Sequence, residues 1–271
     1  MAFSLPSFFK NSFYGLYKTE VVKGLARYST SAVLTEDDIL HLPLCVQQYL
    51  RYTGSIGKPV LQNVRAVFKG EIRSKLNGPW MGFSSQQFNF FDELTRLFYM
   101  KAKMLGIPFT AFHAYVGKAA TMQVKLLSFF KIVDARGEKM NQSETVTMFN
   151  DMCFLAPASL IHKSINWKMI DAFTAEARFT NKGITVAATL YFNERSELIN
   201  FISSDRYLSE DGKTYTSYVW ETPLSNYKDF EDRRIASYGE AIWKMPEGDF
   251  CYGKFNLQEV KFNATAKDSH C

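Results

Sequence analysis

Cysteine is scarce in this sequence: Cys45, Cys153, Cys251 and Cys271 stand far apart, and none belongs to a C-x-x-C pair. A chain this rich in core residues needs no disulfide staples, so reduced and buried thiols are expected, with Cys271 free and exposed at the end. His41, His113, His162 and His270 make neither H-x-H nor H-E-x-x-H, which argues against a metal centre. The glycines make no G-x-G-x-x-G and no P-loop, so the backbone cradle that a nucleotide phosphate needs is missing. There is no G-x-S-x-G elbow to carry a hydrolase nucleophile. No stretch reaches the roughly 18 apolar residues that a membrane-spanning helix requires. The opening residues lack an uninterrupted apolar run and a small-residue cleavage site, so no secretory signal is expected. Charge is not concentrated either. The net charge is +5 with Lys and Arg dispersed, which describes a mildly basic, solvated surface.

What is present is apolar and aromatic. Apolar residues make up 46% of the chain, with 24 Phe, 14 Tyr and 10 Met, enough for a substantial core. Large planar and flexible side chains suit either a wide β core or an apolar cavity. In the opening segment Leu5, Phe9, Phe13, Leu16 and Tyr17 fall near one helical face, with Lys10, Asn11 and Lys18 elsewhere. That face suits docking on the domain or lying on a membrane. Thr35 with Asp38 resembles a capping box, Pro43 suits the first turn of a helix, and Gly54 is placed to end it.

From Val60 the period changes to two. Val64, Ala66, Phe68 and Ile72 oppose Arg65, Lys69, Glu71 and Arg73, the pattern of a strand with one face in water. Phe98, Met100, Ala102 and Met104 alternate with Tyr99, Lys101 and Lys103, and Ala120, Met122, Val124 and Leu126 with Thr121, Gln123 and Lys125. A helix follows, with Ser143 as N-cap and Glu144 in its first turn, and Pro157 should end or kink it. Strands resume at Phe173, turn at Asn181-Lys182-Gly183, and continue to the end. The expectation is an α+β chain, mainly antiparallel β: a curved sheet or incomplete barrel of about ten strands, with helices at 35–53 and 143–162 covering its apolar concave face. The division expected is an amphipathic segment 1–34, a single β-rich domain 35–263, and a tail 264–271.

Several blocks carry a resemblance. HLPLCVQQYLRYTGSIGKP, AYVGKAATMQVKLLSFFKIVDARG, NDMCFLAPASLI, INWKMIDAFTAEARFTNKGITVAATLYFNE and GEAIWKMPEGDFCYGKFNLQEVKFN resemble a widespread bacterial family of unknown function, over about residues 40–263. That resemblance implies no catalytic residues. The strand pattern is also similar to the half-barrel of bacterial lipoprotein-sorting carriers, which implies a curved sheet wrapped around an acyl-binding cavity. The lack of an export signal departs from those periplasmic carriers.

The function expected is therefore non-catalytic binding of an apolar ligand, a lipid or acyl chain, as carrier or sensor. The ligand would lie between sheet and helix, against Phe98, Met100, Met104, Met122, Val124, Met148, Met152, Val186, Leu190 and Phe192. The same residues make an ordinary core if the helices close the sheet. Asn150, Asp151, Asp205 and Arg206 are polar in apolar surroundings. A carboxylate in an apolar cleft can act as general acid or base, so an enzyme using Asp151 or Asp205 is one alternative. Against it, Asp151 paired with Arg206 or another base would simply fix the helix to the sheet. A membrane-associated structural module is another alternative. No cofactor and no metal are expected. The partners expected are a lipid or other apolar small molecule and a peripheral membrane contact through residues 1–28. Nucleic acid is not, because Lys101, Lys103 and Lys125 point away from the apolar residues. The location expected is cytoplasmic, with or without attachment at a membrane surface.

Overall fold

The computed structural model describes residues 12–27, 32–127, 129–209 and 211–270; Leu5, Phe9, Lys10, Asn11 and Cys271 lie outside them. The chain enters through helix α1 (Phe13–Leu25) and helix α2 (Leu44–Tyr52). Six strands then run up and down: β1 (Asn63–Ile72), β2 (Met81–Phe90), β3 (Thr95–Met104), β4 (Ile107–Val116), β5 (Ala119–Leu126) and β6 (Phe130–Ala135). Helix α3 (Glu138–Phe154) leads to a second meander, β7 (Ile165–Asp171), β8 (Thr174–Asn181), β9 (Ile184–Phe192) and β10 (Leu198–Ser203). A small hairpin, β11 (Tyr207–Leu208) with β12 (Thr216–Ser217), precedes β13 (Val219–Glu221), β14 (Leu224–Phe230), β15 (Arg233–Met245) and β16 (Gly248–Phe262). Fourteen of these strands form one antiparallel sheet, more than the sequence pattern suggests.

The last strands sit in the middle. β16 pairs β1 on one side and β15 on the other, so the two meanders become the wings of one sheet with β6 and β7 as edges. Helix α3 connects those two edges, and a connection from edge to edge on the concave side must cross the inside of the curve. Its register explains why it stays there. Val146, Phe149 and Cys153 are buried on one side, and the Phe149 ring lies 5.1 Å from Phe179 on β8 and 5.5 Å from Phe201 on β10. Met140, Glu144, Thr147, Asp151 and Phe154 recur at helical spacing on another side, towards the opposite wing. The helix starts at Glu138, earlier than its cap signal suggests. Ser143 is not the cap; its Oγ accepts the Tyr207 N–H at 3.0 Å. Glu144 accordingly lies beyond the first turn and is buried.

Side-chain bonds hold the wings together at one end. Asn181 at the end of β8 donates to the Gly117 carbonyl and the Tyr115 hydroxyl, and Lys182 pairs with Glu93 at 3.0 Å. Near the other wing tip Gly212, in the loop carrying β11 and β12, approaches Ala135 so closely that a Cβ there would meet Ala135 Cβ at 3.1 Å. Helix α2 buries Val46, Tyr49 and Leu50, and the Tyr49 hydroxyl donates to the Cys153 carbonyl at 2.9 Å, tying α2 to the end of α3. Gly54, with φ +64°, ends α2, and the Ser55 N–H reaches back to the Leu50 carbonyl. Thr35 donates through N–H and Oγ1 to Asp38 in a short 3-10 turn at Asp37–Ile39, whose cap residue, Glu36, makes no side-chain cap bond.

The convex face is not left to water throughout. Phe13, Tyr17 and Val21 of α1 are buried with Phe88, Phe90, Leu97, Tyr99 and Phe112 in a second apolar cluster. Strand β2 explains this: its aromatic residues Phe88 and Phe90 face outward under α1, while Gln87 and Asn89 face the concave side.

Curvature demands close backbone approach at Gly70 on β1. A Cβ there would collide with the Lys254 carbonyl oxygen of β16, with backbone rather than a movable side chain. Gly70→Ala is expected to lower stability by about 1–3 kcal/mol, read as a lower melting temperature by calorimetry. An unchanged melting temperature would mean that the two strands separate freely.

Candidate functional site

Between the concave face and α3 lies a cavity of about 590 Å³. One wing contributes Phe98, Met100 and Met104 from β3 and Ala111 from β4. Met122 and Val124 come from β5, and Phe250, Phe255 and Leu257 from β16. Trp220, Trp243 and Tyr252 close another side, and Tyr207, Leu208 and Tyr215 from the loop after β10 lie across it. Inward positions of a strand recur every second residue, so Arg96, Phe98, Met100 and Met104 all reach the same space.

A buried polar cluster forms the floor. Arg96 donates through Nε to Asp151 Oδ2 at 2.7 Å and through Nη2 to Gln87 Oε1 at 3.2 Å. Its Nη1 lies 3.4 Å from Glu144 Oε2. Gln87 and Asn89 add amide donors to Asp151 Oδ2 at 2.7 and 3.0 Å. Buried charges persist only when paired and hydrogen-bonded, and three donors on one carboxylate oxygen meet that need. Burial pushes the Asp151 carboxyl above its ordinary value, opposed by the Arg96 charge and these donors. Burial acts the same way on Glu144, but the neighbouring His113, Arg96 and Arg206 outweigh it and hold its carboxyl below the usual value. The guanidinium of Arg96 is held charged by the two carboxylates against the effect of burial.

Arg206 and His113 complete the floor. The Arg206 guanidinium lies 4.4 Å from the Trp220 ring and 5.2 Å from Trp243, a stacked position for a weakly hydrated cation. It donates to the Tyr252 hydroxyl at 2.7 Å and stands 3.9 Å from Glu144, while its Nε has no partner. His113 Nε2 is 3.5 Å from Glu144 Oε1, a distance that makes an ion pair only for a protonated ring. Burial lowers the ring to about 4, so at neutral pH it is uncharged, and Nε2 has no hydrogen bond. Arg96 and Arg206 thus stand beside Glu144 and Asp151, two guanidinium groups against two carboxyls in a polar floor beneath apolar walls. Among the described residues no group of three or more His, Cys, Asp or Glu stands ready to hold a metal ion.

The sequence-derived candidates divide cleanly. Phe98, Met100, Met104, Met122 and Val124 line the cavity, as do Asn150, Asp151 and Arg206. Met148, Met152, Val186, Leu190 and Phe192 are buried in the core instead and do not line it. Asp151 pairs with Arg96, not Arg206. Asp205 follows β10, and its Oδ2 accepts the Ala187 N–H at 2.7 Å, away from the cavity lining. Sequence reasoning missed Arg96, Gln87, Asn89, Glu144 and His113. A signal existed for Arg96: it is the charged member of the inward series Arg96, Phe98, Met100, Ala102, Met104.

An open, strongly curved antiparallel sheet that wraps a helix and keeps a cavity beneath it defines the class of protein. Residues 32–255 match the model of a family of unknown function, DUF6544, and the chain belongs to that family. No curated protein matches it. The chain is similar in fold to an outer membrane lipoprotein-sorting protein domain of Vibrio parahaemolyticus, at 10% identity and TM-score 0.47, over 83% of this chain and 94% of that one. It is also similar to a LolA-superfamily protein of Nitrosomonas europaea, at 8% identity and TM-score 0.46 over 83% and 96%. A third likeness is a DUF1329-family protein of Desulfovibrio piger, at 10% identity and TM-score 0.45 over 83% and 95%. Likenesses this distant say nothing of what the chain binds. Among the described residues no helix is long and apolar enough to cross a membrane.

Proposed function

We propose that the chain binds an apolar small molecule, a lipid or other acyl compound, in the cavity beneath α3, as a carrier or sensor. The observation that carries this reading is the cavity itself. Its volume of about 590 Å³ falls within the roughly 300–1,000 Å³ of small-molecule sites, which are mostly apolar with a few convergent polar groups. Phe98, Met100, Met104, Met122 and Val124 are the proposed contacts. Flexible thioethers among them suit a ligand whose chain length and shape vary. The polar floor suits an amphiphile, with its chain against the methionines and its head near His113 and Arg206.

Filling the space tests the reading. Ala111 is buried in the wall on β4 and points into the cavity. In the Ala111→Trp variant the affinity for an environment-sensitive naphthylamine probe is expected to fall at least about tenfold, or about 1.4 kcal/mol, while the melting temperature holds or rises. A variant that binds the probe as the parent does would count against a ligand in this cavity.

A further inference from the structure

Water-facing hairpin turns favour Gly, Asn, Asp and Ser, because these residues accept left-handed backbone or bond to it locally. Two turns of this sheet put an apolar residue in that left-handed position instead. Leu105 between β3 and β4 and Leu127 between β5 and β6 both have φ of +50°, a conformation that costs a leucine energy and suits asparagine or glycine. Burial does not compensate, since Leu105 is 91% exposed and Leu127 46%. Beside them Phe129 is 70%, Phe130 65% and Ile132 54% exposed. The Leu127 N–H donates to the Pro108 carbonyl and Phe109 pairs with Leu126, so the two turns are neighbours at one end of the sheet. Their side chains make one projecting apolar patch. Met104 and Ile132 belong both to the patch and to the cavity lining.

The charge beside the patch has one sign. On the strands leading to these turns the chain carries Lys101, Lys103, Lys125 and Lys131, and the acidic residue of β3 to β6 is Asp134, already paired with Lys131 and Arg136. Lys125 and Lys131 are cross-strand partners, a like-charge juxtaposition that the sheet's own stability disfavours. Lys103 has no ion pair among the described residues and precedes the β3–β4 turn by two positions. Apolar side chains projecting from narrow turns, ringed by lysines, match a bilayer surface, where acyl chains take the former and anionic headgroups the latter.

We propose that the β3–β4 and β5–β6 turns insert into the surface of an anionic lipid bilayer, setting the mouth of the cavity against the lipid. This goes beyond ligand binding, and it is a membrane contact separate from the one expected of residues 1–28; within those, helix α1 buries Phe13, Tyr17 and Val21 on the sheet. The test is flotation of the full chain with phosphatidylcholine vesicles, with and without phosphatidylglycerol. The wild type should float with the anionic vesicles, less so at high salt, and Lys103→Gln should weaken it. Combining Leu105→Asn, Leu127→Asn and Phe129→Ser should reduce binding at least about tenfold, while the melting temperature holds or rises because asparagine suits both turns. Naphthylamine-probe binding should survive these changes, which separates this proposal from the cavity reading. Equal flotation of parent and variant, or no flotation of the parent, would overturn it. So would a dimer lost in the variant without any vesicle binding, which would assign the patch to a second copy.

Discussion

Replacing Arg96 with methionine is expected to cost the fold about 3–5 kcal/mol, the loss typical of removing one partner from a buried ion pair. Methionine keeps most of the length and apolar contact, so the change isolates charge. Arg96 meets Asp151 at 2.7 Å and Glu144 at 3.4 Å, with all three side chains buried. Without it two carboxylates face each other from α3 with Gln87, Asn89, Thr147 and the more distant Arg206 for support. Urea denaturation at neutral pH should show a lower midpoint. Adding Asp151→Asn and Glu144→Gln should recover much of the loss, because neutral amides need no cation. A loss below about 1 kcal/mol for Arg96→Met would mean that water reaches the cluster freely and the floor is not part of the packed interior.

The second large effect is a stability loss in mild acid that disappears in His113→Gln. Burial lowers the His113 ring from 6.5 to about 4 in the folded state. Between those values the unfolded chain takes up a proton that the folded chain refuses, so stability is complete above about pH 6.5 and falls as pH drops towards 4. Linkage converts that difference to on the order of 3 kcal/mol. Glu144 faces the ring and favours its protonation, while Arg96 and Arg206 oppose it. The two carboxylates titrate as well, Glu144 losing stability in stronger acid and Asp151, with its raised value, acting in the opposite direction. The difference between parent and variant across pH 6.5 to 4 therefore reports the histidine together with its coupling to Glu144. Parallel curves would show that His113 is protonated in the folded chain as easily as in water.

Much of the architecture was legible in the sequence because period-two alternation is a local signal. The inward series of β3 and β5 and the hairpin at Asn181-Lys182-Gly183 follow from it directly. Strand β2 was not legible, because its inward residues Ser85, Gln87 and Asn89 are polar and its outward Phe88 and Phe90 are apolar. Alternation tells the two faces apart; it does not tell which lies inside once a helix such as α1 covers the convex side. The start of α3 was hidden for a related reason: buried on most sides, it carries little amphipathic contrast, and a serine at 143 imitates a cap. The site was half legible. Residues in β3 and β5 line the cavity, whereas Met148 and Met152 of α3 and Val186, Leu190 and Phe192 of β9 belong to the packed core. Choosing between the two sides of one buried helix needs the tertiary arrangement. The Arg96 cluster assembles β2, β3, β4 and α3 across the fold, a convergence that no local period encodes.

Native mass spectrometry of the protein as purified from cells, and again after a lipid mixture is offered, tests the cavity account most directly. The prediction is a bound amphiphile on the parent chain, before or after lipid is supplied, that is absent from Ala111→Trp. The bare mass of the parent under both conditions would contradict it.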